Sequence, residues 1–481
     1  MHETLLPPAR WAEAELGAVD VGDARRTRRL VALGAALAAS PSGTLPSALP
    51  DWAALKGAYR LLGRPEVDHA AVVSAHVARV RGRCCCCGGG RYLLIEDTTQ
   101  LDFTGHEAAR GLGRIGDDGG RGLFLHTTLA VSLDRWGGEG EDEPVGEVVG
   151  LFDQRWWARG DKPPGGGARG EAKGSRLSRP RESRRWAACL EGLEPGGPGP
   201  GAGPGAGPGA ACELTFVADR EADIYETFGR CRDAGCGWVV RACQDRALAD
   251  SDRHVFTATR DGPALCRVKV ELRARPGQKA RAATLELRSA AVELRGPWRP
   301  GGWLGPEAVN VVEAREVDAP PGVGPLRWVL LTSWPADSAR DCRRVVRAYA
   351  RRWLSEEYHK CLKTGCSAES SQLATAAALS ALLGVLALVS LRLLDAKLLA
   401  RSRPEEPVAP RQLGPDALAV LSAKYGKPPG GWTNRTALRA VARLGGFLAR
   451  SGDGEPGWQT IWRGWQRLIL LSEGYGLGAA L

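Results

Sequence analysis

Methionine and lysine are scarce in this sequence: one Met occurs among 481 residues, and nearly all of the 65 Lys and Arg are arginine. That excludes a generic lysine-based solubility charge as the source of the formal +10 balance against 55 Asp and Glu. Guanidinium groups bind phosphate oxygens in pairs and stack on bases, so an arginine excess suits a polyanion such as nucleic acid. The same Arg, Ala and Gly enrichment follows from GC-rich coding DNA, and composition alone leaves both readings open. Met1 to Gly17 lacks the basic start and apolar stretch of a secretory signal, which sets the expected location in the cytoplasm. The thirteen cysteines lack paired zinc-knuckle spacing, at Cys231, Cys236 and Cys243 as at Cys361 and Cys366. The run Cys84 to Cys87 has no second ligand pair either, so thiols are expected and structural zinc is not.

What is present divides the chain by period. A hydrophobic fraction of 43% supports a sizeable core and several domains. The spacing predicts helices over Trp11 to Leu16, Asp23 to Ala39 and Asp51 to Leu62, with Asp23 as an N-cap before the basic run Arg25, Arg26, Arg28, Arg29. Trp52, Lys56, Tyr59 and Arg60 add aromatic and basic groups to this N-terminal region. Tyr92 to Asp97, Leu123 to Leu133, Val145 to Phe152 and Glu213 to Asp219 then read as strands. Residues 163–211, with the repeat GPGAGPGAGPGA, are expected to be a flexible insertion unable to bury a core. Alternation from His254 to Val317, including Arg267 to Leu272 and Ala283 to Leu294, predicts an inserted β-region. Arg340 to Lys363 reads as one helix, and the uncharged stretch Leu373 to Leu391 as a buried helix in preference to a membrane span. Trp458, Trp462 and Trp465 recur at helical spacing near the end, as a core stripe or a partner contact.

Two acids share one context: Asp97 ends LLIED and Asp219 ends TFVAD, each at the close of a short apolar strand. In the helical segment Tyr349, Arg352, Glu356 and Lys363 fall on one stripe about 60° wide at about 100° per residue. A polar stripe that joins one carboxylate to Arg, Lys and Tyr supplies metal-binding oxygen together with phosphate clamps. Three carboxylates can hold two hard cations about 3.5–4 Å apart, the arrangement that phosphodiester transfer uses. The competing reading, ordinary strand-end acids and an exposed charge network, stays open on these residues alone. Gly111, Gly113 and Gly116 satisfy a dinucleotide-binding pattern literally, but no strand precedes them and no helix start follows.

At these residues the sequence resembles the insertion-sequence-four family of DDE transposases, in particular the type carried by transposon five. The resemblance rests on GDARRTRRL at 22–30, EDTTQL at 96–101, RGLFLHT at 121–127, DQRWW at 153–157, ADREADIYE at 218–226, WVVR at 238–241 and RWVLLT at 327–332. The pattern Y-x-x-R-x-x-x-E-x-x-x-x-x-x-K is met in full by Tyr349, Arg352, Glu356 and Lys363.

The resemblance implies an α/β fold: an RNase H-like catalytic core over residues 88–400, with an inserted β-subdomain at 245–325. An N-terminal helical DNA-binding domain, 1–80, and a C-terminal helical dimerisation domain, 401–481, would flank it. It further implies Asp97, Asp219 and Glu356 as catalytic metal ligands for two Mg²⁺ ions, with Mn²⁺ able to substitute. Tyr349, Arg352, Lys363, Trp328, Arg241, Arg26 and Arg29 would contact DNA, Trp328 by stacking on a flipped base, and Arg184 and Arg185 are weaker assignments. The expected partners are double-stranded transposon ends, target DNA and a second copy of the chain in a synaptic complex, with no membrane. The expected activity is hydrolysis at the ends, hairpin formation and opening, and strand transfer in a bacterial cytoplasm on nucleoid DNA. The rivals are an end-binding protein that no longer cuts and another RNase H-like nuclease such as a junction resolvase.

Overall fold

Polar caps set the starts of the N-terminal helices, and leucine spacing sets the face they bury. In the computed structural model, which describes residues 7–86, 90–133, 147–160, 182–193, 212–272, 281–402, 404–408, 413–450 and 452–479, this region forms five helices. They are α1 (Pro8–Leu16), α2 (Ala24–Ala39), α3 (Leu45–Ala48), α4 (Trp52–Leu62) and α5 (His69–Cys86). Asp23 accepts a bond from the Arg25 amide and Asp51 one from the Ala54 amide, satisfying donors that a helix start leaves open. Leu30, Leu33 and Leu37 of α2 are buried, so Arg25, Arg28 and Arg29 face outward.

The central part is one mixed sheet. Its strands are β1 (Arg91–Asp102), β2 (Gly113–Ile115), β3 (Gly120–Ser132), β4 (Glu147–Trp157) and β5 (Glu213–Ala218). After helix α6 (Tyr225–Asp233) come β6 (Gly237–Arg241), β7 (Cys266–Leu272) and β8 (Arg281–Leu294). A separate hairpin of β9 (Trp298–Arg299) and β10 (Gly302–Trp303) precedes β11 (Glu307–Val317) and β12 (Arg327–Thr332). The order is β2-β3-β1-β5-β6-β12-β11-β8-β7, with β4 also on β3. Strands β1, β5 and β6 are parallel neighbours, and the other pairings are antiparallel. The strands of the expected β-insertion thus extend the main sheet through β12.

Side chains alternate across this sheet and feed two cores. Leu93, Ile95, Val217, Val239 and Leu330 face α7 (Ala339–Ala350) and α8 (Trp353–Lys360). Leu94, Phe216, Val240 and Leu331 face α6, through Phe228, and the segment at 182–190. That segment corrects one expectation. Within the 163–211 insertion, residues 182–193 are described, and Trp186, Cys189 and Leu190 are buried because they supply apolar bulk that the flanking Gly and Pro tract lacks. The tract itself lies outside the described residues.

A second correction concerns the single helix expected from Arg340 to Lys363. It breaks after Ala350, where the amides of Arg352, Leu354 and Ser355 bond to carbonyls three residues back, and it widens into a π-turn at Cys361–Gly365. The Ser355 hydroxyl also donates to the Arg352 carbonyl at 2.7 Å, which competes with the regular ladder.

The apolar stretch forms α9 (Ala376–Ser402), long and apolar enough to cross a membrane by composition alone. Its most apolar window is 89% buried inside the protein, as expected of a core helix. It packs against α5, where a Cβ on Gly384 would come within 3.0 Å of Val72.

The chain ends in α10 (Pro415–Tyr425), α11 (Asn434–Leu444) and α12 (Trp458–Ala479). Trp462 and Trp465 are buried, while Leu470, Leu471, Tyr475 and Leu477 of the same helix are exposed. Helices α11 and α12 cross so closely that a Cβ on Gly464 would lie 1.7 Å from the Val441 carbonyl oxygen. Gly464→Val is therefore expected to unlatch this pair and cost at least 2 to 3 kcal/mol, about the scale of overpacking against backbone. Thermal melting that matches the parent protein would refute that.

Glu15 joins α1 to α5: its Oε2 lies 2.8 Å from His76 Nδ1 and 2.5 Å from Arg79. Burial pushes this carboxyl up, but the His76 bond and the charges of His76 and Arg79 together hold it down at about 2, against an ordinary 4.5. A depressed carboxyl stabilises the fold fully above its unfolded value, and that contribution is lost as pH falls towards the folded one. Glu15→Gln should cost up to about 3 kcal/mol at pH 7, with the gap to the parent closing between about pH 4.5 and 2 in urea titrations. A gap that does not vary with pH would count against the pairing.

Candidate active site

A mid-strand position, a strand end and a helix break assemble the site: β1 does not close at Asp97 as expected but runs on to Asp102 in pairing with β3, past the point where its pairing with β5 stops. Strands β1 and β5 run parallel with Ile95 opposite Val217, so Asp97 and Asp219 emerge side by side at the carboxyl edge. Alternation sends Asp97 to the face carrying α7 and α8, and turns Glu96 to the opposite core. Each aspartate bonds its own following amide: Asp97 Oδ1 accepts from Thr98 at 2.9 Å and Asp219 Oδ1 from Arg220 at 2.8 Å. Helix α8 then brings Glu356 across the gap, 56% exposed, with the break before it aiming Arg352 inward.

The three acids meet at Arg352. Its guanidinium is 3.6 Å from Asp97, 3.9 Å from Asp219 and in direct ion pairing with Glu356. Among the described residues no three His, Cys, Asp or Glu side chains close into a metal cage on their own. Like-charged carboxylates repel, and here a guanidinium is the cation they share. The donor set still fits a hard divalent cation: every candidate ligand is a carboxylate oxygen, and the carboxylates are arranged to surround positive charge.

Environment separates the acids. Burial raises the Asp97 carboxyl above its usual range despite Arg352, the Thr98 amide and the Ser355 hydroxyl 3.1 Å away, with Glu356 adding to the rise. Asp219 is lowered: burial opposes this, but Arg352, the Arg220 amide, Arg241 at 3.9 Å and the Tyr349 hydroxyl at 3.1 Å prevail. Burial and the charge of Asp219 push Tyr349 up to about 12, so its phenol keeps its proton and donates it. Trp328 packs edge-on against Tyr349 with ring centroids 5.1 Å apart, and Lys363 donates to the Gln100 carbonyl at 2.9 Å while pairing with Glu369 at 3.1 Å.

Three groups at this site escaped the sequence reading. Ser355 holds Asp97, Glu221 is raised by burial and by Asp97 and Asp219, and His359 lies 3.9 Å from Asp97. Burial, with His126 and Lys363 nearby, holds His359 at about 3 and therefore neutral. Ser355 and His359 flank Glu356 and Glu221 follows Asp219, so proximity within the motifs was the available signal. Behind them runs a buried chain: His69 to Gln154 at 3.0 Å, Gln154 to Thr127 and to Tyr358 at 2.9 Å, and Thr127 to His359 at 3.3 Å.

The remaining assignments lie elsewhere. Arg26 is committed within the N-terminal helices, to Glu66 at 3.1 Å and the Val21 carbonyl at 3.1 Å, while Arg29 is exposed on α2. Arg185 stacks on Trp157 at 3.8 Å, and Arg184 beside it is exposed.

Comparison with known families places both ends of the chain. A transposase DNA-binding family matches residues 8–67, the helices α1 to α4 with their exposed arginines. The Tn5 transposase dimerisation domain matches residues 419–479, which include the exposed leucines of α12. With a transposase DNA-binding domain before its mixed sheet and a Tn5-type dimerisation domain after it, the chain is Tn5-transposase-like at both ends, and these domains support DNA binding and a homodimer.

Proposed function

We propose that the protein is a DDE transposase with an RNase H-like core, cutting and joining DNA at Asp97, Asp219 and Glu356. The observation that carries this is the placement of Asp97 and Asp219 side by side just past the parallel pairing of β1 with β5, with Glu356 tied to both through Arg352. The three carboxylates would hold two Mg²⁺ ions, or Mn²⁺ in their place, which when bound activate an attacking oxygen and steady a leaving one.

The chain's own groups do the positioning. Arg352, which holds Asp97, Asp219 and Glu356 together, would be free to clamp a phosphate once those carboxylates hold the cations. Tyr349 keeps Asp219 oriented through its retained proton, and Arg241 and Lys363 add positive charge along the strand. At the transposon end water attacks the phosphodiester, one P–O bond forms as another breaks, and a 3′-OH is released. That 3′-OH attacks the opposite strand to close a hairpin, a second water opens it, and the freed 3′-OH joins target DNA. Hairpinning strains the terminal bases, and Trp328, half-buried on β12, offers a face for one of them. The exposed Leu470, Leu471, Tyr475 and Leu477 supply the dimer contact in a synaptic complex that works on nucleoid DNA in the cytoplasm.

A labelled duplex bearing the inverted repeats that flank this gene tests the reading. With Mg²⁺, the wild-type protein should cut at the repeat boundary, chelation should stop it, and Glu356→Ala should lower the rate on the order of 10³-fold with binding intact. Binding without cutting by both proteins would instead make this an end-binding protein. Trp328→Ala should slow hairpin formation by about tenfold or more, a stacking loss of about 1–3 kcal/mol, and leave first-strand nicking unchanged. Equal slowing of both steps would place Trp328 in the core and not at a base.

A further inference from the structure

A groove of about 610 Å³ lies on the face of the sheet opposite α7 and α8, floored by β8, β11 and β12 and walled by Phe256 and Arg260. Its acids are all committed. Glu286 pairs with Arg267 and Arg288, Glu313 with Arg327 and the Thr259 hydroxyl, and Glu316 with Arg281 and the Leu326 amide. Among the described residues, Arg260 and Arg315 line the groove with no ion pair or side-chain hydrogen bond, and both are exposed. Two uncommitted guanidinium groups facing one concavity call for an anion.

The groove adjoins the active site through β12. Consecutive residues point to opposite faces, so Trp328 meets Tyr349 on one side and Arg327 meets Glu313 on the other. Arg241, 3.9 Å from Asp219, donates to the Arg327 carbonyl at 3.3 Å. A strand that leaves the carboxylates past Trp328 would have to round the start of β12 at Arg327 to reach the groove. Its volume suits a ligand of nucleotide size.

We propose that this groove binds one or two nucleotides of a DNA strand unpaired beside the cleavage site, with Arg260 and Arg315 on the phosphates and Phe256 beside a base. The proposal rests on the reading of Asp97, Asp219 and Glu356 as the cutting site. Its test needs no cutting, so the two can fail separately.

Full-length protein with Ca²⁺ would be titrated by anisotropy against two labelled end duplexes, one blunt and one carrying a short unpaired tail at the cleaved end. The tail is expected to tighten binding about tenfold in the wild type. Arg260→Ala/Arg315→Ala should erase that gain, leave blunt-duplex affinity unchanged and reduce the salt slope on the tailed duplex by about 1.4, at about 0.7 per phosphate. Arg315→Lys in place of Arg315→Ala should restore part of the slope. A tail effect that survives the double substitution, or is missing in the wild type, overturns the proposal. Weaker blunt-duplex binding by the double variant also overturns it, since the arginines would then be general duplex contacts.

Discussion

Three carboxylates brought to one place need a cation between them, and the rest of the site follows from that need. Like charges a few ångströms apart in a partly buried setting repel strongly, and desolvation adds to the penalty. Arg352 answers both by reaching Asp97, Asp219 and Glu356 at once. It can do so because the helix breaks just before it, which separates the buried Tyr349 from the exposed Glu356 and turns the guanidinium inward. The same group that compensates the acids is also chemically suited to phosphate.

The carboxylates also depend on what stands behind them. Alternation along β1 puts Asp97 at the site and Glu96 in the opposite core, where Glu96 accepts from Thr128 at 3.0 Å and from the Ala187 amide at 2.9 Å, beside His126 at 3.2 Å. On the site's own side, Gln154 uses its amide for Thr127 and Tyr358 and its carbonyl for His69. Buried polar groups left unpaired are costly, so this layer holds β1, β3, β4 and α8 in one relative position. The Glu357–Lys397 pair at 2.6 Å extends it to α9, the long apolar helix whose burial anchors α8 from below.

At the chain's ends the organising constraint is steric. Gly464 and Gly445 permit a crossing of α11 and α12 that any side chain would block, and this sets the direction in which α12 carries its exposed leucines. In the N-terminal helices, capping and leucine burial orient the arginines, and the ion pair of Arg26 with Glu66 leaves Arg25, Arg28 and Arg29 outward.

Much of this was legible in the residues themselves. Leucine period and the Asp23 and Asp51 caps marked α2 and α4, apolar runs closed by acid marked β5 and the first half of β1, which runs on to Asp102, and the Ala- and Ser-rich composition of the long apolar stretch marked a buried helix. These are local properties, decided within one or two turns or one strand, so the sequence by itself determined them along with the identities of the candidate acids and clamps. Ideal helical geometry misjudged Arg340 to Lys363, because i to i−3 bonding and the Ser355 hydroxyl on the Arg352 carbonyl compete with the regular ladder there, beside the contact of Ser355 with Asp97. Only the tertiary structure decided that Arg352 stands among the acids, that Trp186 and Leu190 are core within a Gly and Pro tract, and that β7, β8 and β11 continue the main sheet. Each joins residues tens to hundreds of positions apart, where charge compensation and shared burial, and not local periodicity, set the outcome.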